Sequence, residues 1–367
     1  MTERATYRAD HVGSFLRPPA LKEARARYMA GRATLEELSA VEDRAVLDVL
    51  DLQRQIGLDV VTDGEYRRYS FMTGMVDATE GFARGDSGMQ WQGPGARAGG
   101  GFLWRVTARL RQQRGMTERE VPFLEQHAAR PFKVTLPSPN LFVMAGFAPG
   151  VTDRVYASRS ELRQELTAIV AREVQSLVAR GVPYIQLDAP GYTTFVDAGM
   201  RERMRQRGID PERALEEEIA ADRACLDAVR PAGVTLGLHL CRGNSESRWL
   251  VEGGYDAIAE KVFTAFPVDR LLLEYDTPRA GDFAPLRVVP PGVTVVLGLV
   301  TTKEGRLESA DELRRRLDEA ARHVPLERLA LSPQCGFASS LPGNLLTLDD
   351  QRRKLELVVD TARKVWS

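Results

Sequence analysis

Short apolar runs rich in β-branched residues recur along the chain, and most are apolar throughout instead of alternating with polar residues. Eight such runs occur, at residues 7–13, 58–62, 132–136, 184–187, 234–238, 270–273, 293–297 and 328–331. Continuous apolar runs of this length are typical of parallel strands that are buried on both faces. The pattern therefore predicts eight strands of a parallel sheet.

Helical periodicity fills most of the stretches between these runs. The clearest helix lies between Ser158 and Gly181, where apolar residues recur with a period of about 3.6. Ser158 and Glu161 have the spacing of a capping box, and Gly181 suits the position just after a helix. Further helices are predicted over 46–56, 211–230, 253–266, 309–323 and 348–365.

Alternation of eight strands with helices favours a single α/β domain, a (β/α)8 TIM barrel that occupies residues 1–367. An open doubly wound sheet would usually carry an early glycine-rich phosphate turn, and none is found there. The segment 71–130, after the second strand, is much longer than an ordinary loop and contains a glycine-rich run at 93–101. We expect this insertion to act as a lid or binding loop.

Composition narrows the function classes. Lys and Arg number 50 against 51 Asp and Glu, which argues against a dedicated nucleic-acid partner. No apolar stretch is long enough to span a membrane, and the first ten residues lack the apolar core of a secretory signal. A cytoplasmic location is expected, and the sequence leaves open whether the chain forms a homo-oligomer. Three cysteines, Cys225, Cys241 and Cys335, are too few and too scattered for a disulfide framework.

Polar side chains follow the predicted strands, at the end where a barrel of this type builds its active site. In chain order they are His11 and Ser14, Asp63 and Glu65, Ser138 and Asn140, Asp188, His239 and Cys241, Glu274 and Asp276, Thr301, Thr302 and Lys303, and Gln334 and Cys335.

Four of these residues form a plausible set of zinc ligands: His239, Cys241, Glu274 and Cys335. His239 and Cys241 are two residues apart at a strand end, so their side chains face the same way. Taken singly, each cysteine could be a packing residue and Glu274 a salt-bridged carboxylate. Their coincidence at the ends of strands in one barrel favours the metal site, whereas Cys225 falls in a helical pattern and is interpreted as structural.

These residues lie in longer motifs that together resemble the cobalamin-independent methionine synthase family, its C-terminal catalytic barrel and the stand-alone single-barrel proteins similar to it. The resemblance covers nearly the whole chain. The motifs are HVGSF at 11–15, GLDVVTDGE at 57–65, QLDAP at 186–190, LHLC at 238–241, LEYD at 273–276 and SPQCG at 332–336.

The resemblance implies a methyltransferase in which His239, Cys241, Glu274 and Cys335 hold a catalytic Zn2+. Such an ion lowers the pKa of a substrate thiol, expected to be homocysteine, and Glu274 is expected to give way when that thiol arrives. Glu65 and Asp188 would hold the amino acid's ammonium, and the turn from Val12 to Ser14 its carboxylate. The alternative is that Glu65 pairs with Arg67 or Arg68 and that Asp188 caps the next helix.

The chain also departs from the family pattern. Lys303 stands where the methionine synthases carry an active-site histidine that donates a proton, and it is the candidate for electrostatic or proton-transfer assistance. Ala189 replaces the acidic residue that usually follows the aspartate after the fourth strand. The methyl donor is therefore left open among a folate, a corrinoid and a small methylated compound. A thiol transferase of the epoxyalkane–coenzyme M type and a non-catalytic zinc-binding barrel remain the alternative functions.

Overall fold

The computed structural model describes residues 6–86, 89–94, 102–227 and 233–366. Short 3-10 turns link several of the elements. In chain order the helices and strands are α1 (Pro19–Met29), α2 (Leu35–Ile56), α3 (Thr73–Ala78), β1 (Thr79–Asp86), β2 (Phe102–Gln112), α4 (Val121–His127), β3 (Lys133–Pro137), α5 (Pro139–Gly146), α6 (Arg159–Ala179), β4 (Tyr184–Asp188), α7 (Ala198–Gln206), α8 (Pro211–Asp227), β5 (Thr235–Leu240), α9 (Ala259–Phe263), β6 (Arg270–Glu274), β7 (Thr294–Val300), α10 (Ala310–Ala320), β8 (Leu329–Pro333) and α11 (Leu348–Val365).

A six-stranded parallel sheet in the order β3-β4-β5-β6-β7-β8 forms the centre of this α/β fold. Nearly all of its strand residues are buried, in agreement with the apolar runs from which six of the predicted strands were read. Each strand pairs with the next one along the chain, so the carboxyl ends of all six lie at one edge of the sheet.

The prediction of regular strands at 7–13 and 58–62 is wrong. Each segment makes only one isolated parallel bridge, Ala9 to Leu331 in β8 and Val61 to Phe132 just before β3. Side chains take over hydrogen bonds that a ladder would have made. The Asp59 carboxylate accepts the backbone N–H groups of Arg8 and Ala9, at 2.6 and 2.9 Å.

Most predicted helices are confirmed, with shifted ends. Ser158 caps α6 by accepting the N–H of Glu161, but the Glu161 carboxylate accepts the N–H of Ala157 instead of completing a capping box with Ser158. Gly181, with φ of +74°, lies just past the helix and is joined to it by a bond from its N–H to Val178 O. The helix predicted at 253–266 is instead a 3-10 turn and the short α9, because Ile258 has a non-helical φ of −124°.

The insertion 71–130 contains structure that the hydrophobic pattern did not reveal. It folds as α3, the antiparallel hairpin of β1 and β2, and α4. Helices α1, α5 and α7 were also missed. Of the glycine-rich run, Gly93 is described and has φ of +107°, whereas residues 95–101 lie outside the described residues. Among the described helices, none combines the length and the apolar character needed to cross a membrane.

A buried charge cluster ties the segment 7–13 to the sheet. Asp10, fully buried, accepts hydrogen bonds from Lys133 Nζ at 2.9 Å in β3, from Arg270 Nε at 3.2 Å in β6 and from the Tyr184 hydroxyl at 3.3 Å in β4. Burial alone would raise the pKa of Asp10, but Lys133 and Arg270 lower it below its ordinary value. The carboxylate is therefore charged and is held by three different strands.

Replacing Asp10 with alanine should destabilise the fold strongly, because the change leaves two cations buried without their partner. We expect the free energy of unfolding to fall by about 3–5 kcal/mol in urea denaturation. The control is Asp51→Ala, since Asp51 is half exposed and its side-chain partners, Arg54 and Gln55, lie on the same helix. That change should stay within about 0.5 kcal/mol of the parent. Equal effects of the two changes would contradict the role given to the cluster.

Candidate functional site

A cavity of about 360 Å³ opens among the carboxyl ends of the strands and the loops that follow them. Its wall includes seven of the residues that the sequence predicted for the site. They are Val12, Ser14, Glu65, Asp188, His239, Cys241 and Cys335. All seven are buried. The structure thus brings the predicted substrate-binding residues and three predicted metal ligands to one place.

Three of the predicted metal ligands form a tight cluster. One ligand atom from each of His239, Cys241 and Cys335 lies within 4.8 Å of the others, and His239 Nε2 is 3.7 Å from Cys335 Sγ. His239 is the penultimate residue of β5, Cys241 follows that strand directly, and Cys335 lies two residues after β8. The buried His239 Nδ1 has no hydrogen-bond partner. An imidazole and two thiols at this separation suit a tetrahedral zinc site.

The two clustered thiols have unequal acidities. A hydrogen bond from Cys241, together with the neighbouring His239, lowers the pKa of the Cys335 thiol well below its ordinary value. Cys225 lies apart from them in α8, where burial raises its pKa, and its sulfur contacts the Ala221 carbonyl at 3.4 Å. The geometry therefore agrees with a structural role for Cys225.

Glu274, the fourth predicted ligand, lies at the end of β6 but is not part of this cluster. Its carboxylate accepts the Arg242 N–H at 2.7 Å and a hydrogen bond from Arg279 Nη2 at 3.0 Å. Burial alone would raise the pKa of Glu274, but Lys303, Arg242 and Arg279 lower it. It is therefore a charged carboxylate with a partner on each oxygen, and its role as a metal ligand stays a prediction.

Glu65 is placed on the cavity wall by an unusual backbone conformation. Its φ is +58°, and the Asp63 side chain accepts its N–H at 2.8 Å. One carboxylate oxygen accepts a hydrogen bond from Thr135, whereas the other, Oε2, is buried without a partner. The pKa of Glu65 is raised, because burial raises it by more than the nearby charges of Arg68 and Arg17 lower it.

The arginines that the sequence offered as alternative partners of Glu65 are mainly engaged elsewhere. Arg67 pairs with Asp43 at 2.7 Å, and Arg68 pairs with Glu120 at 2.7 Å while lying 3.8 Å from Glu65. One carboxylate oxygen of Glu65, Oε2, is therefore left without a partner on the cavity wall.

Asp188 and the turn from Val12 to Ser14 are linked by one side chain. Gln186 Nε2 donates to Asp188 Oδ1 and to Val12 O, both at 2.7 Å. Burial raises the pKa of Asp188 to about 7. The following 3-10 turn begins after Ala189 with no side-chain cap, so Asp188 does not serve as a helix cap. Two predicted binding elements are thus held in a fixed relation to each other.

Glycine at position 336 allows Ser14 to pack closely. A Cβ built on Gly336 would lie 2.0 Å from Ser14 Oγ, so a larger residue there would displace the Ser14 hydroxyl from its observed position. Gly336 directly follows Cys335, so the same contact positions Ser14 beside the thiol cluster.

Lys303 is placed differently from the proton donor that the resemblance suggested. Its ammonium donates to Gly243 O at 3.0 Å, to Asn244 Oδ1 at 3.2 Å and to Arg248 O at 3.2 Å. These acceptors belong to the loop after Cys241, and Lys303 is not among the residues that line the cavity. A catalytic role for Lys303 stays a prediction, and the observed contacts are those of a residue that fixes a loop.

A second part of the cavity wall comes from the insertion, whose individual lining residues sequence reasoning did not identify. We call it the insertion wall; its members are Phe71, Met72, Met89, Trp91, Leu103 and Trp104. Two of the four tryptophans of the chain lie in this segment, beside its glycine-rich run, which was the available signal. Trp91 packs against the loop after β5, since a Cβ built on Gly243 would lie 3.1 Å from the Trp91 ring.

The fold and the cavity together define an α/β protein with a parallel sheet, a histidine–dithiol cluster and buried carboxylates at the carboxyl ends of its strands. A family described as cobalamin-independent synthase, catalytic domain, matches residues 8–364. The chain therefore belongs to the cobalamin-independent methionine synthase family of methyltransferases. This confirms the resemblance read from the motifs.

Relatives of known sequence divide into two kinds. YxjH of Bacillus subtilis, described as uncharacterized, is 39% identical, and the match covers 99% of this chain and 96% of that protein. The 5-methyltetrahydropteroyltriglutamate–homocysteine methyltransferase of a Synechococcus strain is 23% identical, and the match covers 89% of this chain but 40% of that enzyme.

Solved structures agree in fold. A protein from Listeria monocytogenes, described as a putative vitamin-B12 independent methionine synthase, has a TM-score of 0.74 at 26% identity, with both chains covered fully. A B12-independent methionine synthase from a Shewanella strain, solved in complex with selenomethionine, has a TM-score of 0.76 at 20% identity, with 98% of each chain covered.

The unequal thiols predict selective alkylation of the metal-free protein. Iodoacetamide at neutral pH should modify Cys335 before Cys241 and Cys225, because the lowered pKa of Cys335 gives it more of the reactive thiolate. Mass spectrometry of tryptic peptides over time measures the order. Cys225 is the internal control, since it is buried and has a raised pKa. Modification of Cys225 at the rate of Cys335 would contradict the assignment.

Proposed function

We propose that this protein is a zinc-dependent methyltransferase that methylates the sulfur of homocysteine or a closely similar amino-acid thiol to give methionine or its analogue. One observation carries the proposal. The histidine–dithiol cluster and the carboxylates of Glu65 and Asp188 line the same cavity. The first group suits a metal-held thiol, and the second suits the ammonium of the amino acid that bears it.

His239, Cys241 and Cys335 would hold the zinc ion, and the close approach of their ligand atoms supports the fit. When bound, zinc lowers the pKa of a substrate thiol so that it reacts as a thiolate at neutral pH. Glu274 is proposed as the exchangeable fourth ligand. Arg242 and Arg279 already stabilise its charge, so they can receive the carboxylate when it is not on the metal.

Binding of the amino-acid end follows from the charges on the wall. Glu65 Oε2 is buried without a partner and would accept a hydrogen bond from the substrate ammonium, with Asp188 as the second acceptor. Ser14 and the backbone from Val12 to Ser14 would face the substrate carboxylate. Gln186 holds both of these elements, so it would fix the direction in which the thiol points.

We further propose that the sheet closes into the (β/α)8 barrel, in which segments 7–13 and 58–62 occupy the two remaining strand positions. Their single bridges join the two edge strands, β8 and β3. The thiol cluster also requires the sheet to be curved. Strands β5 and β8 are three strand spacings apart, roughly 14 Å in a flat sheet, yet the ligand atoms that follow them lie within 4.8 Å.

The insertion 71–130 is proposed as the lid of this site. It contributes the insertion wall, and Gln92 exchanges two backbone hydrogen bonds with Trp249, at 2.8 and 3.0 Å, in the loop after β5. A lid in this position would exclude water from the methyl transfer.

Cysteine substitutions should separate the metal cluster from the structural thiol. Cys241→Ser and Cys335→Ser should each lower the zinc content of the purified protein well below one equivalent and weaken the sulfur-to-cobalt charge-transfer absorption after Co2+ loading, because each variant keeps one thiolate at most. Cys225→Ala should retain both, because Cys225 lies outside the cluster. A full equivalent of zinc in the Cys335→Ser protein would refute the assigned ligand set.

Calorimetry on the zinc-loaded protein tests whether Glu65 and Asp188 bind the ammonium of the substrate. Glu65→Gln and Asp188→Asn should each weaken L-homocysteine binding by about tenfold or more, because a buried charged hydrogen bond to the ammonium is lost. Binding of 4-mercaptobutanoate, which has the same thiol and carboxylate but no ammonium, should change much less. Tighter binding of 2-mercaptoethanesulfonate than of L-homocysteine would favour a coenzyme M-type thiol transferase instead.

A further inference from the structure

The insertion wall offers a methyl donor rings and thioethers but no charged partner. Its six residues contain two indoles, one phenyl ring, two methionine thioethers and one leucine, and Tyr69 adds a phenol next to them. The insertion wall extends to the thiol end of the cavity, because Trp91 packs against Gly243, two residues after Cys241. A donor that approaches a thiol at the cluster therefore meets aromatic faces.

No cation on the described cavity wall is available to an anionic donor. Arg242 is the only lysine or arginine that lines the cavity within the described residues. Its side chain is fully buried, and all five of its N–H groups donate to protein oxygens. The acceptors are Gly253 O (from Nε and Nη2), Tyr255 OH, Glu274 O and Ala280 O. Among the described residues that line the cavity, a donor with several carboxylates, such as a polyglutamylated pterin, therefore finds no lysine or arginine with a free N–H group.

The insertion wall itself supplies no proton donor, and the Tyr69 phenol beside it is a weak acid. None of the six residues of the insertion wall carries an ionisable group. Lys303, the candidate acid, directs its ammonium to Gly243 O, Asn244 Oδ1 and Arg248 O and does not line the cavity. A methyl group on a neutral amine or thioether leaves poorly unless the leaving atom is protonated. A donor whose leaving atom already carries a positive charge needs no such acid.

We propose, on the basis of the function proposed above, that the insertion wall forms a subsite for a small methyl-onium donor, a methylsulfonium or quaternary methylammonium compound. The substrate thiolate attacks the methyl carbon and forms the new carbon–sulfur bond. The bond from that methyl to the onium atom breaks, and its electron pair returns to the onium atom, which leaves as a neutral thioether or amine. The proton of the thiol has already passed to solvent.

Cation recognition by these rings is supported by a contact within the protein itself. The guanidinium carbon of Arg84 lies 5.8 Å from the centroid of the Tyr69 ring and 5.9 Å from that of Trp104, within cation–π range. The carboxyl groups of Glu65 and Asp188 line the same cavity, and whichever of them is ionised favours a cation over an anion there.

The test uses the full-length zinc-loaded protein with L-homocysteine and two sulfonium probes, trimethylsulfonium and S-methyl-L-methionine. Calorimetry measures sulfonium binding, and mass spectrometry measures transfer of a deuterated methyl group to homocysteine. We expect both binding and transfer. 5-Methyltetrahydrofolate with three glutamates should show no advantage over the form with one.

Variants separate the subsite from the thiol site. Trp91→Leu and Trp104→Leu should raise the KM and Kd for the sulfonium about tenfold, in keeping with the loss of a desolvated cation–π contact. Trp104→Phe should recover most of the loss. Zinc content and homocysteine affinity should not change in any of them. Trp366→Phe is the control, because Trp366 lies beside Leu326, away from the cavity.

Absence of sulfonium binding, or a KM at least tenfold lower for the triglutamate than for the monoglutamate folate, would overturn the onium subsite. Either result would leave zinc and homocysteine binding intact as separate measurements. Loss of homocysteine binding in the parent protein would instead overturn the proposed function. The two failures are therefore distinguishable.

Discussion

The buried charge cluster of Asp10, Lys133 and Arg270 is the interaction on which the site depends. Two cations from strands of the sheet converge on one carboxylate in a segment that is paired with the sheet by a single isolated bridge. Removing these charges from water is costly, so the segment is stable only in the position where they meet. That position fixes the turn from Val12 to Ser14, two residues later, on the wall of the cavity.

A second constraint is the convergence of distant chain positions at the strand ends. The donor atoms of His239, Cys241 and Cys335 meet although nearly a hundred residues separate the first from the last. Each side chain is placed by the end of a buried strand, β5 between two paired neighbours and β8 beside β7. Glycine at position 336 then allows Ser14 to approach the same point. The rigidity of the sheet thus supplies a site that no local motif could build.

The sequence predicted the sheet strands and most site residues because both depend on short-range signals. Buried parallel strands are continuous apolar runs, and the polar residues that follow them stand out by contrast, as His239 and Asp188 do. The same reasoning failed at 7–13 and 58–62. There the Asp59 side chain accepts backbone N–H groups that would otherwise pair with a neighbouring strand, and the pattern of apolar residues does not indicate such side-chain bonds. It also missed the insertion hairpin, since strands β1 and β2 are only partly buried and carry charged residues throughout.

The positions of Glu274 and Lys303 relative to their partners could not be predicted either. Both residues lie at strand ends, as expected, but their roles depend on which neighbours compete for them. Arg242 and Arg279 bind the Glu274 carboxylate, and loop carbonyls bind the Lys303 ammonium. Those partners come from irregular loops, whose paths follow from long-range packing. The sequence therefore indicated that Glu274 and Lys303 lie at strand ends, but it could not indicate which neighbours bind them.

Thiol activation at the histidine–dithiol cluster is the central claim, and X-ray absorption at the zinc edge tests it most directly. The spectrum should be recorded on the zinc-loaded protein before and after addition of L-homocysteine. The account predicts two sulfur ligands, from Cys241 and Cys335, in the first state and three in the second. A sulfur count that does not change when bound homocysteine is shown by calorimetry would contradict it.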